Sequence, residues 1–399
     1  MISIKPYLSP IESLPEEFVD LTVEDIVFVG MHTLIRLRDK HTQIVYYHTL
    51  PTGHAAKFPV TFSSDGKKRY YHQASELWMA LPLINSVQCK LKINPSIEKI
   101  VLRPYAEVII LNCLDYCYGH VLYKLFYAQQ YLDTDSNTGL IVIIPTSLRW
   151  LMPEGVAEIW TLDTPLAQLT KWVAPLDCFV KGELHRFQQV SLCPANMDLT
   201  LATIDIKRFT KVKPFLLNEW SKSPKWVAFI CREDRFWLSS KLDQFLYLFS
   251  RKFHLQKFFK PYFIRKQNQK MRLVAQLVTQ EDTSVRFSAV GLGTSGSLGD
   301  EIEDQRINKI PSEELERSWC QLYAKSHLVV GVHGSNMLLP TALAAGFINL
   351  LPDFKQPHKG EDVFPHAEEL KDKLEKFFST ETTPATVAKQ IISMLSQSV

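Results

Sequence analysis

The sequence lacks a long apolar run and lacks a strong excess of charge of either sign. Its longest apolar segments, such as residues 140–145, fall far short of the roughly 20 residues that a membrane-spanning helix needs. Its 399 residues carry a formal net charge of only +3, so no whole-chain basic field favours nucleic acid. The first residues also lack the basic start and apolar run of a signal peptide. We therefore expect a cytoplasmic protein without a nucleic-acid partner.

Cysteine is scarce and scattered, with seven residues between Cys89 and Cys320. Cys113 and Cys117 lie close together, but no second pair stands at zinc-ligand spacing. This predicts reduced, mostly buried thiols. The Asp-x-Asp sequence that begins at Asp133 lies in a polar turn and is interpreted as a solvated loop. No metal and no cofactor are expected.

Apolar patterning predicts an α/β protein made of two similar parts. Residues 1–75 contain short β-rich runs separated by polar turns. From residue 97 onwards, continuous apolar strands alternate with amphipathic helices, which is typical of parallel sheets covered on both faces. We predict an N-terminal domain over 1–204, with α/β structure over 97–204, a second α/β domain over 205–384 and a C-terminal helix over 385–399. Individual helices are predicted over 165–174, 205–221 and 335–345.

The segment from His327 to Asn336 predicts a buried strand, a tight glycine turn and the start of a helix. Backbone N–H groups and the helix dipole favour an anion at such a position. Gly334 allows the backbone close approach, Ser335 or Asn336 can cap the helix, and His333 could donate to a phosphate. An ordinary strand-to-helix turn explains the same residues about equally well.

Two other segments could contribute to the same anion site. Arg232 ends a predicted strand and offers a planar fork to a diphosphate, although it could equally pair with the adjacent Glu233 or Asp234. The Gly- and Ser-rich run that contains Gly293 and Thr294 could cradle a nucleotide or a ribose. A flexible surface loop is the alternative interpretation of that run.

A candidate general base lies where the first long helix of the N-terminal domain begins. His120 follows Gly119 there, and Asp115 lies just before the helix. A histidine at this position could take the proton of an acceptor hydroxyl at neutral pH. Asp115 is the second candidate, and a helix-terminal histidine that bonds a nearby loop is the structural alternative.

The segment from Arg251 to Arg272 combines eight cations with interleaved aromatic residues and contains no acid. It predicts peripheral contact with the anionic lipids of an inner membrane face. Single-stranded nucleic acid fits this composition less well. A basic helix face whose aromatic residues lie in the core is the other interpretation.

Several of these residues resemble the GT-B glycosyltransferases, and most of all the family of plant arabinoxylan xylosyltransferases and EGF-domain O-GlcNAc transferases. The stretch from His333 to Met337 corresponds to the family's His-Gly-Ala-Gly-Leu, with Ser335 and Asn336 departing from Ala and Gly. Arg232 matches an arginine at the end of the first donor-domain strand, and His120 lies in a matching Gly-His pair.

The resemblance implies two Rossmann-like domains that face a cleft. It implies metal-independent, inverting transfer of a sugar from a nucleotide-sugar donor, with UDP favoured, to a hydroxyl of a glycan, glycolipid or protein acceptor. Its implied donor-binding residues are Arg232, Gly293, Thr294, His333, Gly334, Ser335 and Asn336, and its implied catalytic residues are His120 and Asp115. The alternatives are a non-catalytic carbohydrate- or membrane-surface-binding protein on a transferase-like fold, and a fucosyltransferase that uses GDP-fucose.

Overall fold

The structure, a computed structural model, describes residues 2–3, 18, 20–89, 92–134, 137–195 and 199–397. The chain divides into two compact units, Met1–Thr200 (unit 1) and Leu201–Val399 (unit 2). Both are mixed α/β structures built on largely parallel sheets. Cys113, Cys193, Cys231 and Cys320 are buried, as expected, whereas Cys89 and Cys178 are exposed.

The strands and helices of unit 1 follow in chain order. The strands are β1 (Ile2–Ser3), β2 (Leu21–Phe28), β3 (Thr33–Asp39), β4 (Val45–Thr49), β5 (Val60–Ser63), β6 (Arg69–Tyr71), β7 (Lys92–Ile93), β8 (Ile97–Val101), β9 (Glu107–Asn112), β10 (Gly139–Pro145), β11 (Glu158–Leu162), β12 (Trp172–Val173) and β13 (Gln189–Leu192). The helices are α1 (Leu81–Gln88), α2 (Tyr118–Thr134) and α3 (Ala174–Leu184).

The β-rich start of unit 1 forms an antiparallel sheet in the order β2-β3-β4-β5-β6. Because successive side chains of a strand point to opposite faces, Ile26 and Phe28 join one core while Val27 and Val29 join another. The first core also contains residues of β9 and β10, and the second contains residues of α1. The antiparallel sheet therefore packs between the main sheet of unit 1 and α1.

The main sheet of unit 1 has the order β1-β13-β9-β10-β11-β8. All its pairings are parallel except that of β8 with β11. Strand β10 is buried along its whole length, which explains its continuous apolar sequence. A separate parallel pair joins β7 to β12. Strand β9 precedes α2 in the chain, and it lies between β13 and β10 in the sheet.

Unit 2 is built in the same way. Its strands are β14 (Trp226–Cys231), β15 (Arg286–Gly291), β16 (Ile302–Asp304), β17 (Leu328–Val332), β18 (Gly346–Leu351) and β19 (Glu375–Ser379). Its helices are α4 (Ile206–Thr210), α5 (Lys241–Lys252), α6 (Gln256–Glu281), α7 (Glu313–Lys325), α8 (Leu338–Leu343), α9 (Glu368–Leu374) and α10 (Pro384–Leu395).

The sheet of unit 2 is parallel throughout, in the order β16-β15-β14-β17-β18-β19. Numbered from its own first strand, this is the order 3-2-1-4-5-6 of a doubly wound α/β sheet. Its core joins residues of the central strands, such as Phe229 and Val330, to residues of α6 and α10, such as Val274 and Ile391. Strands β14 and β17 lie side by side at the centre of this sheet.

Two predicted helices are wrong in their extent, and one strand was not predicted. The helix predicted over 205–221 is limited to α4, because Lys211 takes a left-handed conformation, with φ of 62°, and ends it. The helix predicted over 165–174 is a short 3₁₀ turn, Leu166–Gln168, followed by β12. Strand β19 was not expected, since its segment is charged and only partly buried.

Within the part of the chain that the structure describes, no helix combines the length and the apolar character needed to cross a membrane.

Candidate functional site

Each unit carries polar side chains just beyond the carboxyl end of its first central strand. In a doubly wound sheet, ligands bind where the strand order reverses, outside the carboxyl ends of the strands. In unit 2 this point lies between β14 and β17, which are followed by Arg232 and His333. In unit 1 the corresponding strand is β9, and Asp115 follows it by three residues.

Arg232 ties the end of β14 to the turn after β17. Its Nη1 donates to the carbonyl oxygen of His333 at 3.1 Å and to Oδ1 of Asn336 at 2.7 Å. Its other face makes a bidentate pair with Asp234, with both N–O distances at 2.6 Å. Arg235 reaches the same turn and donates to the carbonyl oxygen of His333 at 2.9 Å. The salt bridge that the sequence offered as one interpretation of Arg232 is therefore present, and its role toward a diphosphate stays a prediction.

Gly334 is required by this packing. Its φ of +148° lies in a region that other residues rarely adopt, and a Cβ there would meet Nη1 of Arg232 at 2.0 Å and Nη1 of Arg235 at 3.0 Å. The close approach that the sequence predicts at Gly334 is therefore made by two guanidinium groups of the chain itself.

His333 is buried and lacks a partner on one of its ring nitrogens. The amide nitrogen of Asn349 lies 2.9 Å from Nδ1 of His333 and donates to it, which places the ring proton on Nε2. Nε2 of His333, Nδ2 of Asn336 and Oδ1 of Asn349 are all buried without a hydrogen-bond partner. Orphaned buried donors of this kind are uncommon in folded proteins. In this turn, an oxygen atom of a ligand could accept a hydrogen bond from Nε2 of His333 or from Nδ2 of Asn336.

The surroundings of His333 are electropositive. Burial, together with the nearby positive charges of Lys355, Arg235, Arg232 and His358, lowers the pKa of His333 to about 4. The imidazole is therefore neutral at physiological pH, and its Nε2–H is a donor in a positive potential. An anion is the ligand that such a potential favours.

The predicted helix after this turn is shorter than expected. Ser335–Met337 forms one 3₁₀ turn, and α8 then spans only six residues with Pro340 in its first turn. The prediction of a helix over 335–345, and of a helix dipole acting at its start, is therefore wrong. Arg232 and Arg235 supply the positive charge at this turn instead. His333 is also more deeply buried than a residue at a strand tip is expected to be.

The Gly- and Ser-rich loop after β15 begins beside the segment that follows β14. A Cβ at Gly293 would lie 3.1 Å from Cγ of Glu233, the residue that follows Arg232. Thr294 is exposed. The later part of the loop is held down by Asn268, which donates to the carbonyl oxygens of Ser295 and Gly296.

In unit 1, Asp115 is a buried carboxylate held by a buried lysine. Its Oδ2 lies 2.9 Å from Nζ of Lys124, whose side chain is 1% exposed. Lys124 also donates to the carbonyl oxygen of Leu114 at 2.7 Å. Burial alone would raise the pKa of Asp115, but Lys124 and His120 hold this pKa well below its usual value. Asp115 is therefore ionised, so both of its oxygens act as acceptors.

This ionisation fixes the tautomer of His120, the third residue of α2. Oδ1 of Asp115 lies 3.0 Å from Nδ1 of His120, so Nδ1 must carry the proton that it donates. Nε2 of a neutral His120 then carries a lone pair, as a general base requires. Nε2 of His54 lies 3.2 Å from that atom and donates to it. The edge of Trp78 packs against His54 on its other side, with ring centroids 5.1 Å apart.

Gly53 lets the loop that carries His54 lie over the ion pair. A Cβ at Gly53, where φ is +56°, would meet Cε of Lys124 at 2.6 Å. His32 lies near the same charges, and burial lowers its pKa to about 3. The surroundings of the Asp115–His120 pair thus include a third imidazole, that of His32, and a glycine, Gly53, at a position where a side chain would clash with Lys124.

Sequence reasoning did not identify His54, Lys124 or Asn349. His54 stands 66 residues before His120 and is brought beside it only by the fold. Lys124 could have been found, because it lies on the apolar face of α2 between Val121 and Leu125. A lysine at a core position needs a buried partner, which points to a nearby carboxylate.

The described residues contain no group of three or more His, Cys, Asp or Glu side chains that could hold a metal ion. Asp133 is exposed in the last turn of α2, and Asp135 lies outside the described residues. The expectation that the protein requires no metal stays a prediction.

No family model matches the chain, and no curated protein matches it. Among solved structures, a protein of Listeria monocytogenes assigned as UDP-N-acetylglucosamine 2-epimerase is similar over 73% of this chain and 66% of its own length, at 11% identity and a TM-score of 0.30. The apo structure of OtsA is similar over 72% of this chain and 67% of its own, at 10% identity and a TM-score of 0.21. The chain therefore spans slightly less than two thirds of the epimerase structure. At these TM-scores the likeness does not carry an argument about function.

Proposed function

We propose that the protein is a glycosyltransferase of GT-B-like architecture. It would transfer a sugar from a nucleotide-sugar donor, with UDP favoured, to a hydroxyl of a glycan or glycoconjugate. In this proposal unit 2 holds the donor and unit 1 activates the acceptor. The separate roles are argued from the separate chemistry of the two clusters. One supplies hydrogen-bond donors in a positive potential, and the other supplies a histidine whose Nε2 acts as an acceptor.

The observation that carries the proposal is the buried, unpartnered Nε2–H of His333 at the point where the strand order of unit 2 reverses. Nδ2 of Asn336 is a second unpartnered donor in the same turn. Phosphate oxygens would satisfy both donors, and Arg232 and Arg235 would balance the charge. A diphosphate at this point also fits the general position of nucleotides in doubly wound sheets.

The cluster in unit 1 supports the second half of the reaction. An acceptor hydroxyl beside Nε2 of His120 would lose its proton to that nitrogen as its oxygen attacks the anomeric carbon. The bond between the anomeric carbon and the phosphate oxygen breaks, and the nucleoside diphosphate leaves with the electron pair. Attack from the face opposite the leaving group inverts the anomeric centre. His54 occupies this position, so the acceptor hydroxyl would have to displace it.

Thermal-shift and calorimetric measurements with UDP-, GDP- and CMP-linked sugars test the donor half. A ligand at about 100 times its Kd adds roughly 2.7 kcal/mol to the stability of the protein that binds it. We expect this gain with one nucleotide class, and we expect it to be lost in His333→Ala and Arg232→Ala. The control is Arg317→Ala, on the exposed side of α7. If no nucleotide binds, the non-catalytic carbohydrate-binding alternative replaces this proposal.

A further inference from the structure

Helix α5 of unit 2 has its apolar residues on the outside. Leu242, Phe245, Leu248 and Phe249 recur every three or four residues, so they form one stripe along the helix. Their exposed fractions are 64%, 63%, 62% and 38%. The stripe continues into the next turn with Phe253, Leu255 and Phe258, of which Phe258 is 79% exposed. Large contiguous apolar patches of this kind mark interaction surfaces.

The inward face of α5 carries both apolar and polar residues. Leu246 and Tyr247 pack against the buried cluster that contains Phe263 and Ile264 of α6. Asp243 is buried and accepts a hydrogen bond from the hydroxyl of Tyr262 at 2.7 Å. Ser240 caps the helix by accepting from the N–H of Asp243. Ser250, also buried, donates to the carbonyl oxygen of Tyr247. The helix is thus attached to α6 by the bond between Asp243 and Tyr262 and by the packing of Leu246 and Tyr247, and the outward stripe takes no part in this attachment.

Cations border the exposed stripe. Arg251, Lys252 and Lys257 are exposed, and the sequence has no acid between Asp243 and Glu281. Arg251 and Lys257 also line a cleft of about 780 Å³ beside the stripe. Two acids line this cleft as well, namely Glu233, which pairs with Lys260, and Asp234, which pairs with Arg232. The unpaired charge at the stripe is therefore positive.

Part of the basic segment after residue 258 belongs to the core of unit 2, although Arg265 is exposed. Lys270 is buried, donates to the carbonyl oxygen of Trp237 at 2.5 Å, and has its pKa lowered to about 8 by burial. Phe263 and Ile264 are buried as well. Within Arg251 to Arg272 the exposed apolar side chains are those of Phe253, Leu255 and Phe258, which continue the stripe of α5. Membrane contact of the whole segment stays a prediction.

We propose that α5 and residues 253–258 dock in the plane of an anionic lipid bilayer. The Leu and Phe side chains would enter the boundary between headgroups and acyl chains, while Arg251, Lys252 and Lys257 would contact anionic headgroups. A helix with an aromatic and aliphatic face bordered by cations is typical of such interfacial segments. A second copy of the chain fits less well, because a two-fold interface would bring like charges of the two stripes together.

Flotation with vesicles of phosphatidylcholine, with and without phosphatidylserine, tests this proposal. We expect binding to the phosphatidylserine vesicles that weakens as salt rises. Replacing Phe245 by Asp should lower the partition coefficient by about tenfold or more, since burial of one Phe side chain favours the bound state by that much. Replacing Arg251 and Lys252 by Gln should lower it by about fivefold for each cation.

Ile310→Asp is the matched control, because Ile310 is 70% exposed in unit 2 but lies outside the stripe. It should bind vesicles like the native protein. The altered residues are all exposed, so each variant should keep the native melting temperature. Equal binding to both vesicle types, native binding by Phe245→Asp, or a dimer that Phe245→Asp dissociates without any vesicle binding would each overturn the proposal.

Discussion

Replacing Asp115 by asparagine should inactivate the protein by moving a proton on His120. The carboxylate serves two partners, since Oδ2 lies 2.9 Å from Nζ of Lys124 and Oδ1 lies 3.0 Å from Nδ1 of His120. An asparagine can offer an oxygen to only one of them. A hydrogen bond to a charged group contributes about 1.5–3 kcal/mol and a neutral one about 0.5–1.5 kcal/mol. The amide oxygen should therefore turn to Lys124.

The amide NH₂ group then faces His120 and donates to its Nδ1. This forces the ring proton onto Nε2 and removes the lone pair that a general base needs. We expect turnover to fall by about 100- to 10,000-fold, the range typical of lost general-base catalysis. His120→Ala should lose a similar factor, while nucleotide affinity stays unchanged in both variants. The backbone N–H of Cys117, which donates to Oδ1 at 3.2 Å, slightly opposes this orientation but is the weaker partner.

Two measurements check this prediction. Slow hydrolysis of the donor gives the rate without a known acceptor, provided that the same base activates water. Nitrogen-15 spectra of labelled histidines report the tautomer directly, whatever the rate. Asp133→Asn, at an exposed position of α2, is the control. Native turnover in Asp115→Asn, or an unchanged tautomer of His120, would refute the reasoning.

A double variant sharpens the test. In Asp115→Asn with Lys124→Met, no buried cation competes for the amide oxygen, so the oxygen can return to Nδ1 of His120. We expect this variant to recover the native tautomer and to exceed the activity of Asp115→Asn alone. A double variant as inactive as the single one would show that the charge of Asp115, rather than the tautomer, is what His120 requires.

Two further predictions concern stability. Gly334→Ala should destabilise unit 2 by about 1–3 kcal/mol and weaken UDP binding, because the new Cβ displaces Arg232 at a strained φ. Gly360→Ala is the control in melting and calorimetric measurements, since no atom lies within 4 Å of a Cβ at Gly360. Equal effects of the two substitutions would contradict the packing argument. Lys124→Met should lower the free energy of unfolding by about 3–5 kcal/mol at neutral pH. The native Asp115, whose pKa is depressed, stabilises the fold above the unfolded pKa of about 3.9. In Lys124→Met, burial raises the folded-state pKa of Asp115 above its unfolded value, so the stability of the variant falls as pH rises. Urea unfolding should therefore show a larger deficit at pH 7 than at pH 4.5, and a deficit independent of pH would contradict the assignment.

The sequence was enough to predict that Arg232 and His333 lie near each other, because both follow buried strands. Continuous apolar runs identify β14 and β17, and the residues directly after them, Arg232 and His333, lie together since neighbouring parallel strands end at one edge. The length of the helix after His333 was overestimated, because its apolar residues are equally suited to a short helix and a buried strand. Periodicity does not distinguish these two structures over so few residues.

The cluster in unit 1 could be predicted only in part. Asp115 and His120 are five residues apart, so local spacing was enough to pair them. His54 comes from a turn far away in the sequence, and only packing of the antiparallel sheet brings it close. The outward apolar stripe of α5 was also missed, because an amphipathic pattern gives the spacing of a helix face and does not say which face turns inward.

The unpartnered polar atoms around His333 have a consequence for the choice of ligand. A buried N–H without an acceptor costs about 1–3 kcal/mol, and a ligand that supplies the missing oxygen recovers this free energy. Oδ1 of Asn349, in the neighbouring strand β18, also lacks a partner, so the residues around His333 present two unpartnered donors and one unpartnered acceptor. A fully ionised oxyanion can match only the donors. A ligand that combines an anionic oxygen with a hydroxyl or an N–H matches all three, and sites built on such hydrogen bonds reject analogues that lack them by about 10⁴- to 10⁵-fold. Unit 2 would thus discriminate against an oxyanion without a hydroxyl, such as sulfate, by leaving one of its own buried atoms unmatched.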